Sequence, residues 1–450
     1  MQQLLPFLLA PWLIAAAHAN PYETTLPNGL RIIVKEDHRA PTAVQMVWYR
    51  VGSIDEVDGS SGVAHVLEHM MFKGTPDVGP GEFNKRVAAA GGKDNAFTSR
   101  DYTAYFQQVP KEKLEDVMQL EADRMRHLNV TPEEFAQEIK VVMEERRMRT
   151  DDAPEAKLFE QMNAVAFQAH PYRRPVIGWM NDLETMTAAD ARAWYDTWYV
   201  PNNAYVVISG DVEHAAVFEL AAKYYGELAG HALPVRKTQN EPLQEGSRRI
   251  TVKAPAELPA LIMGYKAPVL RDVERDSAPY ALEMLAAVLD GHDAARFKKK
   301  LVRETQVALD IGIDYESSVR GPGMFYFSGT PSEGKTVADL EAALRAEIVL
   351  VQKDGVSENE LKRARAQLLA GQIYKQDSMF GQAMEIGQSE SAGIPYQKLA
   401  RQLEKLQQVS AADIQAAARR YFTDDTLTVG ILEPQAVDGK PRRPAIATRH

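Results

Sequence analysis

The chain repeats one pattern, and that repeat limits its fold more than any other feature. Thr187-Ala-Ala-Asp190 opens a helix running through Ala193 to Trp198-Tyr199, followed by the strand-like Ala204-Tyr-Val-Val-Ile-Ser209. Ser410-Ala-Ala-Asp413 opens another, running through Ala416 to Tyr421-Phe422 and on to the strand-like Thr426–Leu432. In each, a hydroxyl residue followed three positions later by Asp is a helix-start signature. Met46-Val-Trp-Tyr-Arg50 is echoed by Met263-Gly-Tyr-Lys266. The echoes recur at a spacing of about 220 residues, so one supersecondary unit is used twice. The 450 residues alone would have allowed about three domains. The repeat reduces them to two homologous α+β units, each a mixed or antiparallel sheet with helices on one face. Residues 20–230 form the first unit and 249–450 the second. The linker, 231–248, carries Pro234, Pro242 and Gly246 and shows little periodicity.

Composition narrows the chemistry. Fifty-two Lys and Arg against 62 Asp and Glu give a net charge of −10 with no basic block, which argues against a nucleic-acid partner. The chain contains no cysteine, which excludes disulfide scaffolds, Cys-ligated metals, iron–sulfur clusters and thiol catalysis. A metal site here must use His and carboxylate. Residues 1–19 have the pattern of a signal peptide: the apolar run Leu4–Ala17 ends in Ala17-His18-Ala19, an A-x-A cleavage sequence. The run is interrupted by Pro6 and Pro11 and is short for a membrane span. The expected location is outside the cytoplasm, in a bacterial periplasm, with no stable membrane anchor.

The strongest chemical signal is Ser61-Gly-Val-Ala-His65-Val-Leu-Glu68-His69-Met-Met71. His65 and His69 are one turn apart on a helix, so both imidazoles can reach one ion. Glu68 falls on the same face, while Val63, Ala64, Val66, Leu67, Met70 and Met71 fill the other. H-x-x-E-H is the inverted zinc-hydrolase motif, which leaves Glu68 free to take a proton from water.

A catalytic zinc needs a third protein ligand. The other histidines are isolated, which turns attention to the acidic helix that Thr131 caps, with Pro132 at its first position. Phasing puts Glu144 on the polar side, with Glu133, Gln137 and Lys140. Glu138 and Glu145 fall together, two turns apart, flanked by Phe135, Val141 and Val142. A carboxylate in an apolar stripe needs a cationic partner. One of these two is expected to be the ligand and the other to support it.

His65-x-x-Glu68-His69 followed by Glu145 resembles the pitrilysin/insulinase family of zinc metallopeptidases, and the two-repeat size resembles its mitochondrial-processing-peptidase-like branch. Leu26-Pro-Asn28-Gly29-Leu30, Gly52-Ser-Ile-Asp-Glu56, Phe72-Lys-Gly74-Thr75, Gly91-Gly92-x-x-Asn95-Ala96-x-Thr98 and Pro201-Asn-Asn-Ala204 extend the similarity. The resemblance implies a zinc endopeptidase that cleaves peptides or unfolded segments. His65, His69 and Glu145 would hold one Zn²⁺, Glu68 would act as general base and Glu138 would orient a ligand. It further implies that Asn95, Ala96, Phe97 and Thr98 form an edge strand that pairs with the substrate backbone. The chain would form half of a two-bowl chamber.

The second unit keeps the architecture without the chemistry. Tyr280–Leu289, which corresponds to the motif helix, has no histidine. By resemblance this unit should supply an Arg and a Tyr to the substrate carbonyl. Arg303 occupies the arginine place, but Asp310 stands where tyrosine is expected. The resemblance therefore implies a heterodimer with a metal-free homologue that carries the Arg/Tyr pair. Two alternatives compete: a non-catalytic assembly or scaffold subunit of this fold, and a P-loop NTPase at Gly329-Thr-Pro-Ser-Glu-Gly334-Lys335-Thr336. Pro331 removes a loop N–H there, and Glu333 sets negative charge where phosphate would lie.

Overall fold

A computed structural model describes residues 20–436. The expected signal peptide, residues 1–19, lies outside the described residues, as does the C-terminal segment 437–450. Among the described residues, no helix is long and apolar enough to cross a membrane.

Among the described residues, eleven strands form two sheets. The first contains β1 (Tyr22–Thr25), β2 (Arg31–Glu36), β3 (Thr42–Tyr49), β4 (Lys93–Thr98), β5 (Thr103–Pro110) and β6 (Ala204–Gly210), in the order β1-β2-β6-β3-β5-β4. The second contains β7 (Arg248–Pro255), β8 (Ala260–Ala267), β9 (Ala308–Tyr315), β10 (Gly323–Pro331) and β11 (Leu427–Gln435), in the order β7-β11-β8-β10-β9. Apart from the extra β1, the two orders correspond strand for strand. In each sheet one pair is parallel, β2 with β6 and β7 with β11, and the other pairs are antiparallel. The repeat seen in the sequence is thus a repeat of topology. No helix or strand occurs between Tyr225 and Arg248.

Both faces of each sheet are buried, which explains why the central strands read as continuous apolar runs and not as alternation. In β3, Ala43, Val47 and Tyr49 face the helices of their own unit. Val44, Met46 and Trp48 face the other way, into a cluster with Met379, Ala383 and Ile386. Those three belong to the helix Met379–Ser391 of the second unit. The second sheet mirrors this arrangement. Leu261, Met263, Phe325 and Phe327 pack with their own helices. Ile262, Met324 and Tyr326 pack on Leu158, Met162 and Ala166, from the helix Pro154–Ala166 of the first unit.

Each unit therefore gives one helix to the other unit's sheet. The sequence reading put helices on one face of each sheet. The opposite face is closed by the exchange, which no local pattern encodes. Hydrogen bonds accompany the apolar contact: Tyr205 donates to Gly387 O at 2.7 Å, and Tyr326 donates to Asn163 Oδ1 at 2.6 Å.

Gly387 marks how closely the exchanged helix approaches. A Cβ there would lie 2.0 and 2.1 Å from ring atoms of Trp48, which is fully buried. Gly387→Ala should therefore force apart a packed helix–sheet contact, at a cost of about 1–3 kcal/mol. Gly371 is also helical, but a Cβ there meets nothing within 4 Å. Gly371→Ala should instead be neutral or stabilise by up to about 1 kcal/mol through helix propensity. Thermal and denaturant unfolding of the two variants should move in opposite directions, or only Gly387→Ala should move. Equal shifts would refute the close approach.

Candidate metal centre

The motif helix spans Val63–Met70, with Val63, Ala64, Val66, Leu67 and Met70 in the first unit's core. Its start is fixed by close backbone contact. Gly62 has φ +87°, and a Cβ there would lie 2.5 Å from Ile177 O. Ser61 donates through its hydroxyl and its N–H to Asp182 Oδ2, at 2.5 and 3.1 Å. The acidic helix spans Pro132–Arg146 and is capped by Thr131, whose hydroxyl accepts from Glu134 N–H at 3.2 Å. Phe135, Glu138, Val142 and Arg146 form its buried stripe. Val141, expected in the apolar flank, is instead half exposed, because the buried stripe is narrower than the sequence phasing implied.

These helices bring His65, His69 and Glu145 together, with one ligand atom from each within 4.8 Å of the others. His65 Nε2 and His69 Nε2 lie 3.7 and 3.3 Å from Glu145 Oε2. The other carboxylate oxygen of Glu145 pairs with Arg149 at 2.8 Å. Glu138 Oε1 lies 2.8 Å from His69 Nδ1, and its second oxygen pairs with Lys73. An ionised carboxylate only accepts, so His69 Nδ1 carries a hydrogen. Glu144, by contrast, is turned outward and pairs with Arg147 at 3.1 Å. Glu68 is bound by the Thr98 hydroxyl at the end of β4.

The charge states follow from these contacts. Burial, aided by neighbouring His69, lowers His65 to about 3, which keeps it neutral. Burial also disfavours charge on His69, but the hydrogen bonds to Glu138 and Glu145 outweigh it and raise the imidazole to about 9. Burial works against charge on Glu145 as well. There the His69 hydrogen bond and the fields of His65, His69 and Arg149 prevail and hold the carboxyl at about 2. Glu138 is likewise lowered, the bonds from His69 and Lys73 outweighing its desolvation. Glu68 moves the opposite way: burial raises it despite the Thr98 bond. Carboxylates that hold a proton on His69 provide the same negative field to a cation.

The donor chemistry fits a zinc ion. Tetrahedral zinc with ligands at about 2.0–2.2 Å sets its ligand atoms about 3.3 Å apart, close to the two separations measured on Glu145. In this cluster the buried His65 Nδ1 has no hydrogen-bond partner among the described residues.

The other expected sites fall as follows. Asn95, Ala96, Phe97 and Thr98 lie on β4, which pairs only with β5, through Phe106, Tyr105, Ala104 and Thr103. β4 is thus an edge strand, and its last residue touches Glu68. Lys73 and Arg149 were not assigned roles around the site from sequence, and Thr98 was expected on the substrate-pairing strand but not against Glu68. Arg149 follows Glu145 by one helical turn, a legible spacing, whereas the Thr98 contact joins separate elements. In the second unit the helix matching the motif, Ala278–Asp290, carries no histidine. Arg303 is exposed, and Asp310 is exposed on β9. The P-loop-like segment is the end of β10 and a turn into the helix Val337–Asp354. The Thr336 hydroxyl is bound to Asp339 at 2.7 Å in a capping box, so it serves as a helix cap and faces a carboxylate.

Known proteins resemble this chain in sequence and fold. The model for insulinase (peptidase family M16) matches residues 31–179, and that for the peptidase M16 inactive domain matches 185–368. The zinc protease PqqE of Helicobacter pylori is 30% identical over 439 residues, covering 93% of this chain and 95% of its own length. The crystal structure of a protease from Helicobacter pylori superposes with a TM-score of 0.87 at 30% identity, over 92% of this chain and 100% of the other. The periplasmic protease PqqL from Escherichia coli shares the fold, with a TM-score of 0.78 at 18% identity; the match covers 93% of this chain and 49% of PqqL. Two units of one topology, a His/His/Glu cluster found among the described residues in the first unit alone, and near full-length similarity agree: the chain belongs to the insulinase family of peptidases, M16.

Proposed function

We propose that this chain is a zinc-dependent endopeptidase that acts on peptides or unfolded segments. The observation that carries the reading is the convergence of His65 Nε2, His69 Nε2 and Glu145 Oε2, with Glu68 on the same helix face. His65, His69 and Glu145 would hold the zinc. Bound there, zinc supplies a positive charge that polarises a peptide carbonyl and acidifies water. Glu138 fixes the ring of His69 through Nδ1, as carboxylates behind metal-binding histidines commonly do. Glu68 accepts the proton of the attacking water and returns it to the leaving amine. Its raised affinity for a proton suits both steps. Thr98 orients the Glu68 carboxylate and also ends the edge strand, so a peptide paired along Asn95–Thr98 would lie beside the base.

Two features support work in a pair with an Arg/Tyr-bearing homologue: the second unit has no histidine in the matching helix, and Asp310 stands at the tyrosine place. Export to a periplasm is supported by the Leu4–Ala17 run and the Ala17-His18-Ala19 sequence that ends it.

Glu68→Gln should retain zinc by metal analysis while kcat on an unstructured peptide falls about 10²- to 10⁴-fold. Wild-type turnover in that variant would end the assignment. Chelation should abolish hydrolysis and added zinc restore it. Glu138→Gln should weaken zinc about 10- to 100-fold in competition with a chelator; unchanged affinity would remove Glu138 from the site. Co-expression with an Arg/Tyr-bearing homologue should give a heterodimer of higher specific activity. A fully active homodimer of this chain alone would contradict the pairing.

A further inference from the structure

The turn Gly52–Glu56 is where three functional elements meet. The N–H groups of Ser53 and Ile54 donate to Ser99 O at 3.2 Å and Arg100 O at 2.8 Å, tying the turn to the hairpin that follows β4. Glu56 accepts from Gly62 N–H and Ala64 N–H at 2.9 and 3.0 Å, tying it to the first turn of the motif helix. Asp55 points to the second unit, with its side chain only 4% exposed. Arg320 Nη1 and Nη2 donate to its two oxygens at 2.9 and 3.1 Å. The same arginine reaches the hairpin: its N–H donates to Asp101 Oδ2 at 2.8 Å, and Nη1 donates to Asp101 O at 3.0 Å. Arg320 thus binds both the turn that precedes His65 and the hairpin that follows Thr98.

The loop carrying Arg320, between β9 and β10, is itself held firmly. Arg271 donates to the carbonyls of Val319, Arg320 and Gly321. Gly321 N–H donates to Tyr172 Oη at 2.9 Å, and the Tyr172 hydroxyl donates to Asp101 Oδ1 at 2.5 Å. A Cβ on Gly321 would lie 2.5 and 2.6 Å from Tyr172 and His170 atoms, so the loop sits directly against the first unit. A two-pronged Arg–carboxylate pair fixes orientation as well as distance.

We propose that Arg320 is a positioning residue for the peptidase reaction: from the second unit it clasps the turn that carries the motif helix to the hairpin that carries the edge strand. It thereby sets Glu68 in register with a peptide laid along β4. This role rests on the endopeptidase reading above, and it gives the metal-free unit a part in the chemistry through the first unit's geometry. Small misplacements of reacting groups cost rate steeply, about 10²-fold for 1 Å.

The test uses Arg320→Ala and Arg320→Lys in the full chain, with any partner that co-purifies. Lysine keeps the charge but loses the fork. In Arg320→Ala, amide exchange across residues 52–64 and 98–103 should quicken at least about tenfold, with the second sheet unchanged. At the same time kcat per bound zinc should fall about 10- to 100-fold while KM stays within about threefold. Arg320→Lys should lie between. A purely structural role would lower the folded, zinc-loaded fraction and leave kcat per zinc intact. That result, or unchanged exchange in the two segments, overturns the proposal. Should Arg320→Ala fail to fold, the same two measurements on Arg320→Lys decide. Should the unmodified chain neither bind zinc nor cleave peptides, the endopeptidase reading falls, and the exchange measurement still decides the clasp.

Discussion

The exchange of helices between the two units is the constraint on which the rest of the molecule depends. A sheet whose two faces are both apolar must be covered on both, and each unit's own helices cover only one. Trp48, Met46 and Val44 lie on a face closed by Met379–Ser391, and Ile262, Met324 and Tyr326 on a face closed by Pro154–Ala166. A fully buried side chain of this kind contributes about 1.5–3 kcal/mol, so leaving either face open would forfeit much of a domain's net stability. Neither unit is an independent body, and the second is part of the scaffold of the first.

That dependence extends to the candidate centre. The acidic helix that carries Glu138 and Glu145 ends at Arg146, which pairs with Glu160 at 2.7 Å. Glu160 belongs to the exchanged helix Pro154–Ala166, so the helix that carries Glu145 is anchored to the element that covers the second sheet. Around the cluster, three carboxylates play different parts because their surroundings differ. Glu145 is held ionised chiefly by His69 and Arg149, and Glu138 by His69 and Lys73. Glu68 has the Thr98 hydroxyl and burial around it, and is raised. Groups pushed apart in this way are suited to separate tasks, Glu145 to face a cation, Glu138 to steady His69 and Glu68 to move a proton.

Much of this was legible in the sequence where the information is local. Helix periodicity separated Glu145 from Glu144, and the structure puts Glu144 at 60% side-chain exposure against 15% for Glu145. The Thr187 and Ser410 starts form the capping boxes that their spacing implies. At the P-loop-like segment the local helix-start signal is also met, since Thr336 caps a helix. Contacts between elements distant in the chain were not legible. Thr98 reaches Glu68 only because β4 lies beside the motif helix, and Lys73, in the turn after that helix, meets Glu138 only because the acidic helix packs there. Val141 was misplaced because helix phase gives direction around an axis but not the width of the buried stripe.

The sequence by itself determined that the chain is one unit used twice, that any metal site must be His and carboxylate, and which helix faces bear those groups. These are properties of periodicity and composition, carried by neighbouring residues. Tertiary structure alone decided that each unit covers the other's sheet. It brought the three ligand atoms within 4.8 Å and set Arg320 between Asp55 and Asp101. The physical reason is that a buried face or a buried charge needs a complementary partner but does not specify where in the chain that partner lies. Only the closed packing of both units selects it.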